Sequence, residues 1–419
     1  MKHMKMILEG LLVATAIVAP CTAMGQRNEI FSEDIKTLQV IAGNRWMDIP
    51  VVSLNGNEAI HISFDDMTHE YRRYTYKIEH CEADWTTSEE LLASDFLEGF
   101  SEGNTIDDLL ESLNTTMLYT HYSIRIPNNK CRLKMSGNYR LTVCDDNDDD
   151  RPVLSACFMV KEDKMGVRMN VETNTDVDIN ESHQQVEMAI DYGSLPVIRH
   201  EEQVKTVVMQ NGRWDNARMN VKPQFIKSDG LRWSHCRDLI FTAGNEFRKY
   251  EILDVTHPTM GIDKIEWDGE AYHVYPFADE PRPNYIYDED ANGAFYIRNS
   301  DNIGNDNLSE YVYVHYILKC PQRQNGDVYI NGKWTNDRFL PEYTMNYNDA
   351  EKRYEATVLQ KQGYYNYQYL LMRPDGTLTS MPTEGDFYQT ENSYQVLVYY
   401  REAGGRTDRL VGYQQVTYK

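Results

Sequence analysis

Short runs in which apolar and polar residues alternate recur from one end of the chain to the other, and no stretch of comparable length keeps a helical period. AIHISF (59–64), YTYKIEH (74–80), THYSIRI (120–126), YRLTVC (139–144) and SACFMV (155–160) open the series. Alternation puts successive side chains on opposite faces of a strand, one buried and one wet. The pattern restarts at Met165 with VRMNVET, HQQVEMAIDY, VKTVVMQNGRW and DLIFTAG, and again from Tyr311 with YVYVHYILK, GDVYINGKW, YEATVLQKQGYYNYQYLLM and YQVLVYYR. These blocks predict a mainly-β chain of three tandem immunoglobulin-like antiparallel β-sandwich domains, over 26–164, 165–305 and 306–419. The 30 tyrosines favour the same class, because aromatic side chains suit a pleated, half-buried surface. One helix is predicted, over NTIDDLLESLN (104–114), where Thr105 and Asp108 make a capping-box-like start before Leu109, Leu110 and Leu113. Long helices alternating with strands are missing from the pattern, which excludes Rossmann, TIM-barrel and α/β-hydrolase architectures.

The first 25 residues read as a secretory signal peptide: MKHMK, a mostly apolar run, then small residues at Ala23 and Gly25. Cleavage is expected after Gly25; Cys21, preceded by Pro20, is the alternative, lipid-modified site. Losing the leader removes Lys2, Lys5 and Glu9 and takes the net charge from −23 to −24. Such a surface repels phosphate backbones and anionic lipid, so nucleic-acid binding is excluded as a role. No later run reaches the roughly 18–20 apolar residues of a membrane helix. The remaining cysteines, Cys81, Cys131, Cys144, Cys157, Cys236 and Cys320, lack C-x-x-C spacing and sit in strand-like segments, so buried free thiols and disulfides both stay open.

Several short patterns invite a chemical reading. In YDEDANGAFYI (287–297), Asp288, Asp290, Asn292 and Gly293 match the start of a calcium loop, but the closing twelfth position is Asn299, which cannot give a bidentate carboxylate. The flanks PNYIYD and AFYI read as strands, so a hairpin with an Asn-Gly turn is expected. DDNDDDRP, between Cys144 and Cys157, is expected to be a solvated hairpin tip. Gly99-Phe-Ser101-Glu-Gly103 matches G-x-S-x-G by letters, yet the strand–turn–helix context of a nucleophile elbow is missing, and a glycine-punctuated loop is the expectation. His80 and Cys81 are adjacent on a strand and therefore face opposite ways. Glu246 and Arg248, two apart, are expected to share a face as an ion pair.

IKTLQ (35–39), ISFDDM, YTYKIEHCEADW, LEGFSEGNTIDD, SGNYRLTV, TAGNEFR, DANGAFYI, KQGYYNYQYL, EGDFYQTENSYQVLVYYR and GRTDRLVGY form an ordered series. The series resembles the type IX secretion system plug protein family from about Ile35 to Tyr413. That resemblance implies a non-enzymatic periplasmic protein, without cofactor, that binds a giant outer-membrane β-barrel translocon and occludes its periplasmic opening when no cargo passes. The third block also resembles early-set immunoglobulin-like domains found beside glycan-active enzymes. It implies an alternative, an exported carbohydrate-binding protein in which Trp334, Tyr364, Tyr365 and Tyr367 stack on sugar rings.

Overall fold

The computed structural model describes residues 28–419, so the leader and its cleavage sites lie outside the described residues. Strands make up 47% of the described residues and helices 5%, which fulfils the mainly-β expectation at the level of class. Nearly all ladders are antiparallel.

The alternating runs of the first block become two facing sheets. One contains the strands Tyr74–Cys81, Gly137–Asp145 and Arg151–Lys161; the other contains Ile35–Ala42, Ile60–Asp66 and Thr120–Ile126. In Ile60–Asp66 the side chains of Ile60, Ile62 and Phe64 are buried while His61 is exposed, the face separation that alternation requires. Phe64 stacks on Tyr122 at 5.4 Å, and Tyr139 stacks on Phe158 at 5.5 Å, inside one continuous apolar core. Each large side chain so buried contributes roughly 1.5–3 kcal/mol. The acidic segment forms the expected hairpin tip, since Gly137–Asp145 pairs with Arg151–Lys161.

The helix expected over 104–114 does not form. Asn104–Thr105 pairs with Tyr74–Cys81, and Asp108–Glu111 adds an edge strand to Thr120–Ile126. Leu110 and Leu113, which a helix would have buried with Leu109, are exposed. Pairing two sheet edges satisfies more backbone groups than an isolated helix of three turns could against solvent, so tertiary context overrides the local pattern. Among the described residues, α-helix is confined to three four-residue turns.

The second unit also faces two sheets across a core. His183–Asp191 and Gly230–Trp233 belong to one, and Val204–Gln210 to the other, but the partners of Val204–Gln210 are Asn392–Tyr400 and, beyond it, Arg409–Tyr418. The last strands therefore do not belong to the third block as the boundaries 165–305 and 306–419 had it. Val396, Val398 and Val411 complete the core around Val186, Val208 and Trp233. A strand pattern reveals that one face is covered, not which segment covers it.

The third unit is a sheet running from Arg248–Ile252 to Ile262–Trp267 and almost closing on itself, with the Glu251 amide donating to the Met260 carbonyl at 2.9 Å. Its core is rich in tyrosine, including Tyr250, Tyr316, Tyr365, Tyr367 and Tyr369. It lies in sequence between two strands of the second unit, so the chain enters and leaves it from the same neighbour. All six cysteines of the described residues are buried and none is in a disulfide; burial pushes the Cys81 thiol up to about 11.

Candidate functional site

The residues singled out as possible catalysts are held in structural roles. Ser101 lies in a loop between Gly99 and Gly103, both at positive φ, and its carbonyl accepts the Ile78 amide at 2.7 Å. The chain then continues into short strands, not into the helix that a nucleophile elbow requires. His80 and Cys81 do face opposite ways. Cys81 enters the apolar cluster between the first and second units, while His80 packs edge-on against Tyr139. His80 Nε2 donates to the Ser136 carbonyl at 3.1 Å, which leaves Nδ1 to accept from the Ser88 hydroxyl at 2.9 Å. Burial lowers the imidazole to about 4, so the ring is neutral at physiological pH.

The expected Glu246–Arg248 pair is not made. Arg248 instead binds Asp279 at 2.8 Å and Glu384 at 3.0 Å, and Glu246 accepts the Tyr285 hydroxyl at 2.6 Å. Two carboxylates from distant segments outcompete the local one because they can enclose the guanidinium fork.

The four calcium-loop residues also diverge. Asn292 and Gly293, at φ 49° and 83°, form the expected tight turn, closed by the Ala294 amide on the Ala291 carbonyl at 3.0 Å. The run PNYIYD before it is not a strand, however, and Phe295–Ile297 pairs with Gly363–Met372, so the turn does not join a hairpin. Asp288 is tied to Lys249 at 2.6 Å, whereas Asp290 turns inward to accept the amides of Phe247 and Asn292. Burial pushes the Asp290 carboxyl up to about 7, against the pull of those amides. Because this carboxyl binds its proton more tightly folded than unfolded, its contribution to stability falls as pH rises from about 4 to about 7. A carbon-detected NMR titration is expected to place the Asp290 midpoint near the upper end of that window. A midpoint near 4 would refute this.

The aromatic quartet does not form an exposed stacking platform. Tyr365 and Tyr367 are each 2% exposed in the core, Trp334 packs against that core with its indole N–H on the Asn366 carbonyl at 2.9 Å, and Tyr364 packs against Trp46 of the first unit. The alternation of tyrosines on this strand fills a barrel interior on one side and an interunit contact on the other.

What the tertiary structure does bring together is a set of seams joining the units. Between the first and second, Ile49, Val51, Trp85 and Met159 meet Val207, Met209, Leu397 and Tyr399 in a buried apolar cluster, with Trp85 edge-on to Trp214 at 5.4 Å. Between the first and third lies a buried ionic knot. Asp65 accepts from Lys361 Nζ at 2.6 Å and from the Tyr311 hydroxyl at 2.6 Å, and it pairs with His121 Nδ1 at 2.6 Å. Lys361 also stands 4.1 Å from the centre of the Tyr119 ring. Burial alone would raise Asp65, but Lys361 and His121 hold it below the ordinary carboxylate value; burial pulls the Lys361 amine down. Between the second and third, Gln184 donates to the carbonyls of Tyr388 and Thr390, both at 2.8 Å. The units meet around an aromatic-lined cavity of about 120 Å³, below the roughly 300–1,000 Å³ of small-molecule sites. None of the knot residues stood out in the sequence. The available signal was a charge at the end of an apolar strand run, Asp65 after ISF and Lys361 after TVLQ.

Residues 35–162 match the model of the type 9 secretion system plug protein first domain, which coincides with the first two-sheet unit. No curated protein matches the chain. The crystal structure of a hypothetical protein from Parabacteroides merdae ATCC 43184 is similar over 94% of this chain and 100% of that one, at 38% identity and a TM-score of 0.90. Dimeric latent PorU from Porphyromonas gingivalis, at 9% identity and a TM-score of 0.13 over 92% of this chain and 34% of that one, is too dissimilar to carry an argument. The whole three-unit body thus recurs in a relative of the same length class, and its first unit carries the family's signature: the chain belongs to the type IX secretion system plug protein family.

Proposed function

We propose that this protein is a structural, non-enzymatic component of the type IX secretion system, exported to the periplasm, that binds the outer-membrane translocon barrel and closes its periplasmic opening between cargo passages. The observation that carries the reading is family membership joined to the seams. Three units, immunoglobulin-like in our reading, are locked by an apolar cluster, a buried ionic knot and an insertion that ties the third unit to the second at both ends. A body that blocks a wide pore has to be stiff on the scale of the pore, and local opening at any seam would leak. Such a role needs bulk and a complementary rim, and no nucleophile or cofactor. No helix among the described residues is long and apolar enough to cross a membrane, and the proposed route to the outer membrane is through the barrel partner. The acidic surface, at −23 for the full chain, would select a basic rim and discourage other partners.

A tagged copy, recovered from gently solubilised envelopes, is expected to bring down a very large outer-membrane barrel in stoichiometric amount. Recovery of the protein alone under conditions that keep the translocon intact would remove the basis for the plug reading.

A further inference from the structure

On the outer face of the third unit two histidines meet ring to ring. His273, on strand Tyr272–Pro276, and His315, on strand Tyr311–Lys319, bring Nδ1 and Nε2 to 2.8 Å from one another. Their outer nitrogens are both held: His273 Nε2 lies 2.9 Å from Asp268 Oδ2, and His315 Nδ1 lies 3.0 Å from the Thr357 hydroxyl. The carboxylate can only accept, so His273 carries its proton on Nε2 and presents a bare Nδ1 lone pair inward. His315 then donates from Nε2 to that lone pair and accepts the Thr357 hydroxyl on Nδ1. Both rings are clamped by stacking, His315 on Tyr275 at 4.4 Å and His273 on Tyr313 at 5.4 Å. Burial and the neighbouring His273 hold His315 below the ordinary imidazole value.

We propose that this pair is a binding site for a borderline transition-metal ion such as Zn²⁺. Two oriented imidazoles with converging inner nitrogens are the donor set such ions prefer, and the Asp268–His273 hydrogen bond is the carboxylate support that commonly holds a zinc-binding ring. Metal–nitrogen bonds of about 2.0–2.1 Å require the two inner nitrogens to part by roughly half an ångström, a small ring rotation. The His315 proton moves from Nε2 to Nδ1 through solvent and is donated to the Thr357 oxygen, whose hydroxyl turns to accept it. The exchange therefore releases no net proton. Glu266 stands directly opposite His273 in register and adds negative charge to the face. Among the described residues no group of three or more His, Cys, Asp or Glu side chains is placed to hold an ion, so water completes the coordination. Hard ions such as Ca²⁺, which seek oxygen donors, are not expected to bind here.

Calorimetric titration of the metal-free mature chain with Zn²⁺ at pH 7.5 tests this. One saturable ion per chain is expected, lost in His273→Ala and in His315→Ala, and weakened about tenfold to a hundredfold in Asp268→Asn. Co²⁺ absorption spectra of the same variants give a second readout, and circular dichroism checks that each remains folded. Absence of saturable binding, or binding that survives either histidine substitution, overturns the proposal. Neither outcome bears on the plug reading, which the envelope pull-down tests separately.

Discussion

Lys361→Met is expected to lower the free energy of unfolding by about 3–5 kcal/mol, because it leaves the Asp65 carboxylate buried without its cation. Asp65 is fully enclosed, and the His121 ring and the Tyr311 hydroxyl that remain cannot replace a full positive charge at 2.6 Å. The double variant Asp65→Leu/Lys361→Met is expected to recover much of the loss, since removing both charges also removes both desolvation costs. Urea unfolding of the two single variants and the double variant forms a cycle that separates the pair's coupling from the damage of an orphaned charge. A cost below about 1 kcal/mol for Lys361→Met would mean that water reaches the knot and that it does not fasten the first unit to the third. The consequence is directional: with this seam open, the protein keeps its folded units and loses its rigidity.

Trp85→Ala is expected to cost about 3–5 kcal/mol, the usual penalty for truncating a buried large aromatic side chain. Trp85 is 2% exposed, stacks edge-on with Trp214 across the first seam, and has an indole N–H buried without an acceptor. Trp85→Phe is therefore expected to cost much less, because it keeps an aromatic surface while deleting an unsatisfied donor. The alanine variant should also broaden denaturation into separable transitions, one for the first unit and one for the remaining body, visible when tyrosine fluorescence and far-UV circular dichroism are followed together. Coincident, single transitions in the alanine variant would show that the units do not depend on this seam for their cooperativity.

These two predictions rest on contacts that no local pattern encodes, and that marks the limit of the sequence. The strands from Ile60, Tyr74, Thr120, Tyr139 and Ser155 are legible because alternation is a property of neighbouring residues, fixed by the pleat itself. The acidic hairpin tip and the opposed faces of His80 and Cys81 follow from the same period. The segment 104–114 was misleading for a related reason. Three leucines at helical spacing promise a buried stripe, but the free edges beside them took the backbone instead, leaving Leu110 and Leu113 in solvent.

What the sequence by itself determined is the class of the chain, its division into strand-rich stretches, and the family to which those stretches belong. Only the tertiary structure decided that Asn392–Tyr418 returns to the second unit, that Arg248 takes Asp279 and Glu384 in place of Glu246, and that Asp65 meets Lys361. The physical reason is range. Strand alternation acts over two residues, whereas Asp65 and Lys361 are 296 residues apart, and nothing in either strand specifies its partner until two whole sheets have closed their cores and brought their outer faces together.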